Sequence, residues 1–266
     1  MLDVEFAQLS DSGRVRDHNE DYLGYVLPAT PELARTTGWL FALADGVGGQ
    51  ERGEVASRAA VETLLAEFRA AHAHEPHRSL LPRLVQKANL KVYETGLAAG
   101  PGGVAMATTM VACALRFDRA VVSHVGDSRC YSIRQGRATS LTRDHTVVAE
   151  QARLGLLSSD GTAAAAKRHL LTRSLGKSMF VGVDTAEHLL SGGDILLLCS
   201  DGLHGALSSD EMAGIVTSAN DMDSAARELV DAANESGGPD NVSVQLIRVR
   251  SVERVGMYRG RPYKLA

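Results

Sequence analysis

The chain has 266 residues, long enough for one large domain with a substantial buried core. Its 44% apolar and 23% charged residues are ordinary for a soluble globular protein, no apolar stretch approaches the ~20 residues of a membrane span, and a formal net charge of −4 supplies no basic stripe. No membrane span and no nucleic-acid partner are therefore expected. The first six residues lack a basic start followed by an apolar block, and Cys113, Cys130 and Cys199 are an odd, scattered set in apolar surroundings. Together these predict a cytoplasmic protein with reduced core cysteines, neither a disulfide framework nor a zinc cluster; a monomer is expected.

In chain order, Phe6 to Ser10 and Tyr22 to Leu27 read as strands joined by the charged block Ser12 to Asp21. Arg16 beside Glu20 and Asp21 sets a phosphate fork next to hard-cation ligands. Residues 28–38, with Pro28, Pro31 and Gly38, read as a loop. The apolar run from Trp39 then ends on Asp45 and breaks into Gly46, Val47, Gly48 and Gly49. A buried strand ending on a carboxylate and glycines lets backbone approach a ligand closely. Glu51 to Ala71 places Val55, Ala59, Leu64, Leu65 and Phe68 on one helical face, and His72, His74 and His77 follow in a polar loop as solvated histidines. Ser79 is positioned to cap a second helix to about Thr95, with Leu81, Leu84, Val85, Ala88 and Val92 inward.

Ala105 to Leu115 and the run from Ala120 read as strands, the second delivering Asp127, and Cys130 to Ile133 pairs with Ala138 to Leu141 across Gln135-Gly136. Residues 144–157 carry helical spacing, and the small-residue stretch Asp160 to Ala166 looks mobile, so the region reads as a flap. Asp194 to Ser200 is a second buried strand ending in Asp201-Gly202. Ser208 to Glu211 is a capping box opening a helix to about Ala219, and Asp223 to Glu235 is another helix, stopped by Gly237-Gly238-Pro239. Asp240-Asn241 precedes the strand Val242 to Val249, and Glu253 to Ala266 reads as a peripheral tail. Strands that mostly connect without helices, with helical pairs after Gly49 and Ser208, predict an α+β fold of antiparallel sheets with helices outside them.

Four carboxylates at strand ends, Asp45, Asp127, Asp201 and Asp240, point to one shared site. Oxygen ligands without His or Cys select hard cations, so Mg2+ or Mn2+ is expected rather than zinc, in a binuclear site suited to in-line phosphoryl transfer. A nucleotide-binding loop is disfavoured: Leu171 stands where a P-loop ending at Gly176-Lys177-Ser178 needs glycine, and Glu51 stands where a dinucleotide loop needs its last one. A thiolate phosphatase built on Cys113 and Arg119 fails because the intervening residues contain no glycine to wrap phosphate.

Arg16 to Asp21, Asp45 to Gly49, Gly126 to Arg129, Leu141 to His145, Ser200 to Gly202 and Asp240-Asn241, taken in this order, resemble the metal-dependent serine/threonine protein phosphatases of the 2C type over residues 5–249. The resemblance implies a sandwich of two antiparallel sheets flanked by pairs of helices in four α-β-β-α layers, a phosphatase domain over 1–250 with a flap at 144–176, and a tail at 251–266. It implies two Mn2+ or Mg2+ ions with a weaker third. Asp45 would bridge the pair, the Gly46 carbonyl, Asp201 and Asp240 would bind directly, Glu20 and Asp21 would bind through water, Asp127 would hold the third, and Arg16 would hold phosphate. The substrates implied are phosphorylated proteins, a serine/threonine kinase among them. Some members carry His where Val47 stands, as the acid for the leaving alkoxide; here either a metal-bound water supplies the proton or a nearby histidine does, His204 on the loop after Asp201 being the first candidate.

Overall fold

The computed structural model describes residues 1–47, 52–99, 103–156, 170–258 and 261–264. One five-stranded sheet is ordered β1 (Asp3–Asp11), β10 (Val242–Ser251), β9 (Ile195–Cys199), β6 (Arg129–Arg134), β7 (Arg137–Ser140). The other is ordered β2 (Asp21–Val26), β3 (Trp39–Asp45), β4 (Met110–Arg116), β5 (Arg119–Val125), β8 (Asp184–Leu189). Every neighbouring pair in both sheets is antiparallel.

The apolar runs are continuous because the central strands are covered on both faces. Leu40, Ala42 and Ala44 of β3 pack against the helices, whereas Trp39, Phe41 and Leu43 face the opposite sheet. In β9, Leu197 and Cys199 face outward to helices, and Leu196 and Leu198 face the sandwich. Alternation of period two thus feeds two cores from one strand. Helices α2 (Gly53–Arg69) and α3 (His77–Ala98) cover the second sheet, and α6 (Ser209–Ser218) and α7 (Met222–Glu235) cover the first. The four-layer α-β-β-α order follows. All three cysteines are buried and free, as the composition implied.

Several local expectations change. The buried stripe of α2 is Ala56, Ala60, Val61, Leu64, Leu65 and Phe68, with Val55 and Ala59 only partly covered. Pro76, not Ser79, precedes α3, so His77 is its first residue; it is buried, and its Nε2 donates to the Thr37 carbonyl at 2.7 Å. It is not a solvated loop histidine. The segment read as a loop after Pro28 holds α1 (Pro31–Thr36), capped by the Thr30 hydroxyl with proline in its first turn. Strand β8 carries no apolar run because it is a largely exposed edge strand. The capping box forms as expected, with Ser208 and Glu211 each bonded to the other's backbone.

Helix α4 (Val147–Arg153) lies within the predicted flap, and α5 (Asp201–Ala206) follows directly on β9. Asp160 to Ala166 lies outside the described residues. Beyond β10 the chain forms the hairpin β11 (Val255–Tyr258) and β12 (Arg261–Lys264), and Glu253 pairs with Arg35 of α1 at 3.1 Å.

Candidate active site

A cleft of about 950 Å3 opens at one end of the sandwich, where five connections converge: β1–β2, β3–α2, β5–β6, β9–α5 and α7–β10. It is lined by Arg16, Glu20, Asp45, Gly46, Val47, Asp127, Asp201 and Asp240, so the predicted residues come together, and Asp21 lies buried directly behind them. Asp21 and Asp45 are register partners in the β2–β3 ladder.

The backbone around Asp45 is fixed from both sides. Its amide donates to the Thr109 hydroxyl at 2.9 Å, and its carbonyl accepts from the Thr108 hydroxyl at 2.7 Å and the Thr109 amide at 2.8 Å. The Gly46 amide donates to the Glu20 carbonyl at 3.1 Å. A Cβ on Gly46 would stand 2.6 Å from the Gly53 carbonyl, and one on Gly53 would stand 2.8 Å from the Glu20 carboxylate. Only glycine lets these segments close over each other.

The charge balance identifies what the cleft takes. Burial raises the Asp45 carboxyl well above its ordinary value, and the charges of Asp21, Asp201, Asp127 and Asp240 raise it further. Burial pushes Asp21 up to about 7 against the opposing influence of the Ser243 and Ser200 hydroxyls, and among the described residues neither of its buried carboxylate oxygens has a hydrogen bond of standard geometry. Burial, then the Glu54 charge, also raises Glu20. Clustered, desolvated carboxylates of this kind are relieved by hard divalent cations, whose charge favours ionisation and whose coordination takes oxygen ligands. The residues present fit Mn2+ or Mg2+.

Two arginines offset part of the negative charge. Arg16 Nη2 donates to Asp240 Oδ2 at 2.9 Å, and this hydrogen bond raises the guanidinium pKa further. Arg129 binds Asp144 through two bonds of 2.8 and 2.7 Å and donates to the Tyr131 hydroxyl at 2.8 Å; burial is the largest single influence and opposes its charge, but the hydrogen bonds and charges of Asp144 and Tyr131 together outweigh it and raise the guanidinium pKa. No structural role for Arg129 and Asp144 was read from the sequence, although both sit in the quoted motifs, because fifteen residues and a hairpin separate them.

His204 lines the cleft, but its Nε2 lies 2.9 Å from the Asp127 carbonyl, which can only accept. Burial keeps the ring neutral, leaving Nδ1 without a proton. The available proton is thus already given to the backbone of Asp127. On the other side of the same turn, His145 accepts from the Gly126 amide at 3.1 Å and its own amide donates to the Gly126 carbonyl at 2.9 Å. His124, His145 and Asp184 also have the chemistry of a metal trio. There, however, His124 Nε2 faces the Arg143 carbonyl at 2.8 Å, His145 Nε2 faces Asp184 at 3.2 Å, and the Arg173 guanidinium lies 2.9 Å from Asp184. The Arg173 guanidinium already occupies that corner, and the trio ties the start of α4's segment to β5 and β8.

The fold agrees with known proteins. The protein phosphatase 2C family pattern matches residues 32–246. Protein phosphatase PhpP of Streptococcus pneumoniae is 32% identical over 246 residues, 92% of this chain and 97% of that protein. Among solved structures, the Ser-Thr phosphatase MsPP from Mycobacterium smegmatis in complex with cacodylate is 36% identical, with a TM-score of 0.75 over 92% of this chain and 97% of its own. The catalytic domain of the serine threonine protein phosphatase PstP in complex with two manganese ions is 30% identical, with a TM-score of 0.76 over 94% of this chain and 99% of its own. The chain belongs to the protein phosphatase 2C family.

Proposed function

We propose that this cleft hydrolyses phosphoserine and phosphothreonine in phosphorylated proteins, using Mn2+ or Mg2+. The observation that carries the reading is the convergence of Asp21, Asp127, Asp201 and Asp240 on Asp45, a concentration of desolvated negative charge that divalent cations relieve. Asp45 would hold two ions jointly, with the Gly46 carbonyl, Asp201 and Asp240 as further direct ligands and Glu20 and Asp21 acting through water. Asp127 would serve a third, weaker ion. Bound there, the ions would lower the pKa of an attacking water and neutralise charge developing on the phosphoryl group.

The protein's own part is positioning. Arg16, with five N–H donors of which one is given to Asp240, is placed to hold phosphate oxygens. Val47 has no proton to donate and the His204 proton is held by Asp127, so we assign protonation of the leaving alkoxide to water. His204 becomes a positioning residue for Asp127. The same reading makes the chain a cytoplasmic monomer that opposes a serine/threonine kinase. It is tested on purified protein: a phosphothreonine peptide should be hydrolysed with Mn2+ or Mg2+ and not in excess EDTA, while thiol alkylation leaves the rate unchanged. Full turnover in EDTA would remove the assignment.

A further inference from the structure

The β1–β2 loop, residues 12–20, carries Arg16 and Glu20, and the turn before β10 carries Asp240. They belong to opposite ends of the sequence, and a ligand or phosphate contact shared between them works only if the two segments are locked together. One side chain makes most of that lock. Asn241 Nδ2 donates to the Ser12 carbonyl at 3.0 Å and to the His18 carbonyl at 2.9 Å, and Asn241 Oδ1 accepts from the Glu20 amide at 2.8 Å. Its own amide donates to Asp240 Oδ1 at 2.9 Å. At 5% exposure, the carboxamide uses both N–H groups and its oxygen inside the protein.

The geometry points to Asn241 as a positioning residue that fixes the phosphate arm and Glu20 against Asp240. The inference rests on the roles proposed above for Arg16, Glu20 and Asp240. Only a planar carboxamide offers two donors and an acceptor in this arrangement: aspartate would keep the acceptor for the Glu20 amide but turn its second oxygen, an acceptor, toward both carbonyls, and serine would supply one short hydroxyl. Glycines bring the segments within reach. A Cβ on Gly13, which has φ of 78°, would stand 2.2 Å from the Asp240 carbonyl, and the Arg14 amide donates to the Gly238 carbonyl at 2.8 Å. Ser12, His18 and Glu20 lie on the two sides of Arg16, so the three bonds close the loop at both ends and hold the guanidinium between them.

Two variants and two readouts test this. In metal-free protein, Asn241→Ala should speed amide exchange at Arg14 and Glu20 by roughly 10- to 100-fold, with the amides of β9 unchanged. Asn241→Asp keeps the acceptor for the Glu20 amide and loses both donors, so Arg14 should exchange faster while Glu20 stays protected. In the metal-loaded enzyme, Asn241→Ala should raise KM for a phosphopeptide by roughly 10-fold with a smaller change in kcat, as expected when a ground-state phosphate contact is loosened. In an Arg16→Ala background the same change should add little to KM. Unchanged exchange at Arg14 and Glu20 in both variants would overturn the lock. A KM penalty that adds fully to that of Arg16→Ala would overturn its action through Arg16. If Arg16→Ala alone left KM unaltered, the fault would lie with the phosphate role of Arg16, and the exchange pattern would still decide the lock.

Discussion

Asp21 and Asp45 stand directly opposite each other at the open end of the β2–β3 ladder, the first residue of one strand facing the last of the other. Like charges in register destabilise a sheet, and here both are desolvated. The site is therefore a strained feature of the metal-free protein and a stable one when cations are present. Asp45→Asn should abolish turnover while raising the melting temperature of the metal-free protein, because it removes one of two desolvated like charges. Calorimetry with and without Mn2+ checks both halves, and a destabilised metal-free variant would contradict the repulsion.

His204→Ala should slow hydrolysis of p-nitrophenyl phosphate and of a phosphopeptide alike, because it disturbs Asp127 rather than the leaving group. A general acid matters little for nitrophenolate and supplies ~10²–10⁴-fold for an alkoxide. Steady-state rates on both substrates decide it: selective slowing of the phosphopeptide would restore His204 as the acid.

His77 carries a pH signature remote from the cleft. Burial and then the Arg116 charge push its pKa down to about 4, at 6% exposure. The unfolded chain takes up a proton below about 6.5 and the folded chain does not, so this stability is present above pH 6.5 and lost as pH falls toward 4. The loss is on the order of 3 kcal/mol. Denaturant melts of the wild type and His77→Gln across that window should show the slope flattened in the variant. An identical slope would place the acid sensitivity elsewhere.

The inter-sheet core should be the least forgiving part of the fold. Phe41 is fully buried, packs against Phe6 at 5.3 Å between ring centroids and faces the opposite sheet. Phe41→Ala should cost roughly 3–5 kcal/mol of stability in denaturant unfolding. A loss below about 1 kcal/mol would mean that the sheets repack freely.

Much of this was legible in the sequence for identifiable reasons. Asp45, Asp201 and Asp240 announce themselves because each interrupts or borders an apolar run, and burial periodicity located the helix pairs and central strands. What stayed hidden depends on partners distant in the chain. Asn241 was visible only as the residue after Asp240, since its three partners lie more than 220 residues away. The pairing of Arg129 with Asp144 and the grip of His204 on Asp127 are likewise tertiary facts without a local pattern. Strand β8 was missed because an exposed edge needs no apolar run, and His77 because helix α3 begins one turn earlier than its first capping residue type suggested.

The most direct test of the central claim is manganese anomalous scattering from crystals of the metal-loaded protein. The account predicts two strong peaks in the cleft that share the Asp45 carboxylate, with Asp201 and Asp240 as further ligands, and their disappearance in Asp45→Asn. Manganese bound instead at His124, His145 and Asp184, or a cleft that stays without peaks at saturating Mn2+, would contradict it.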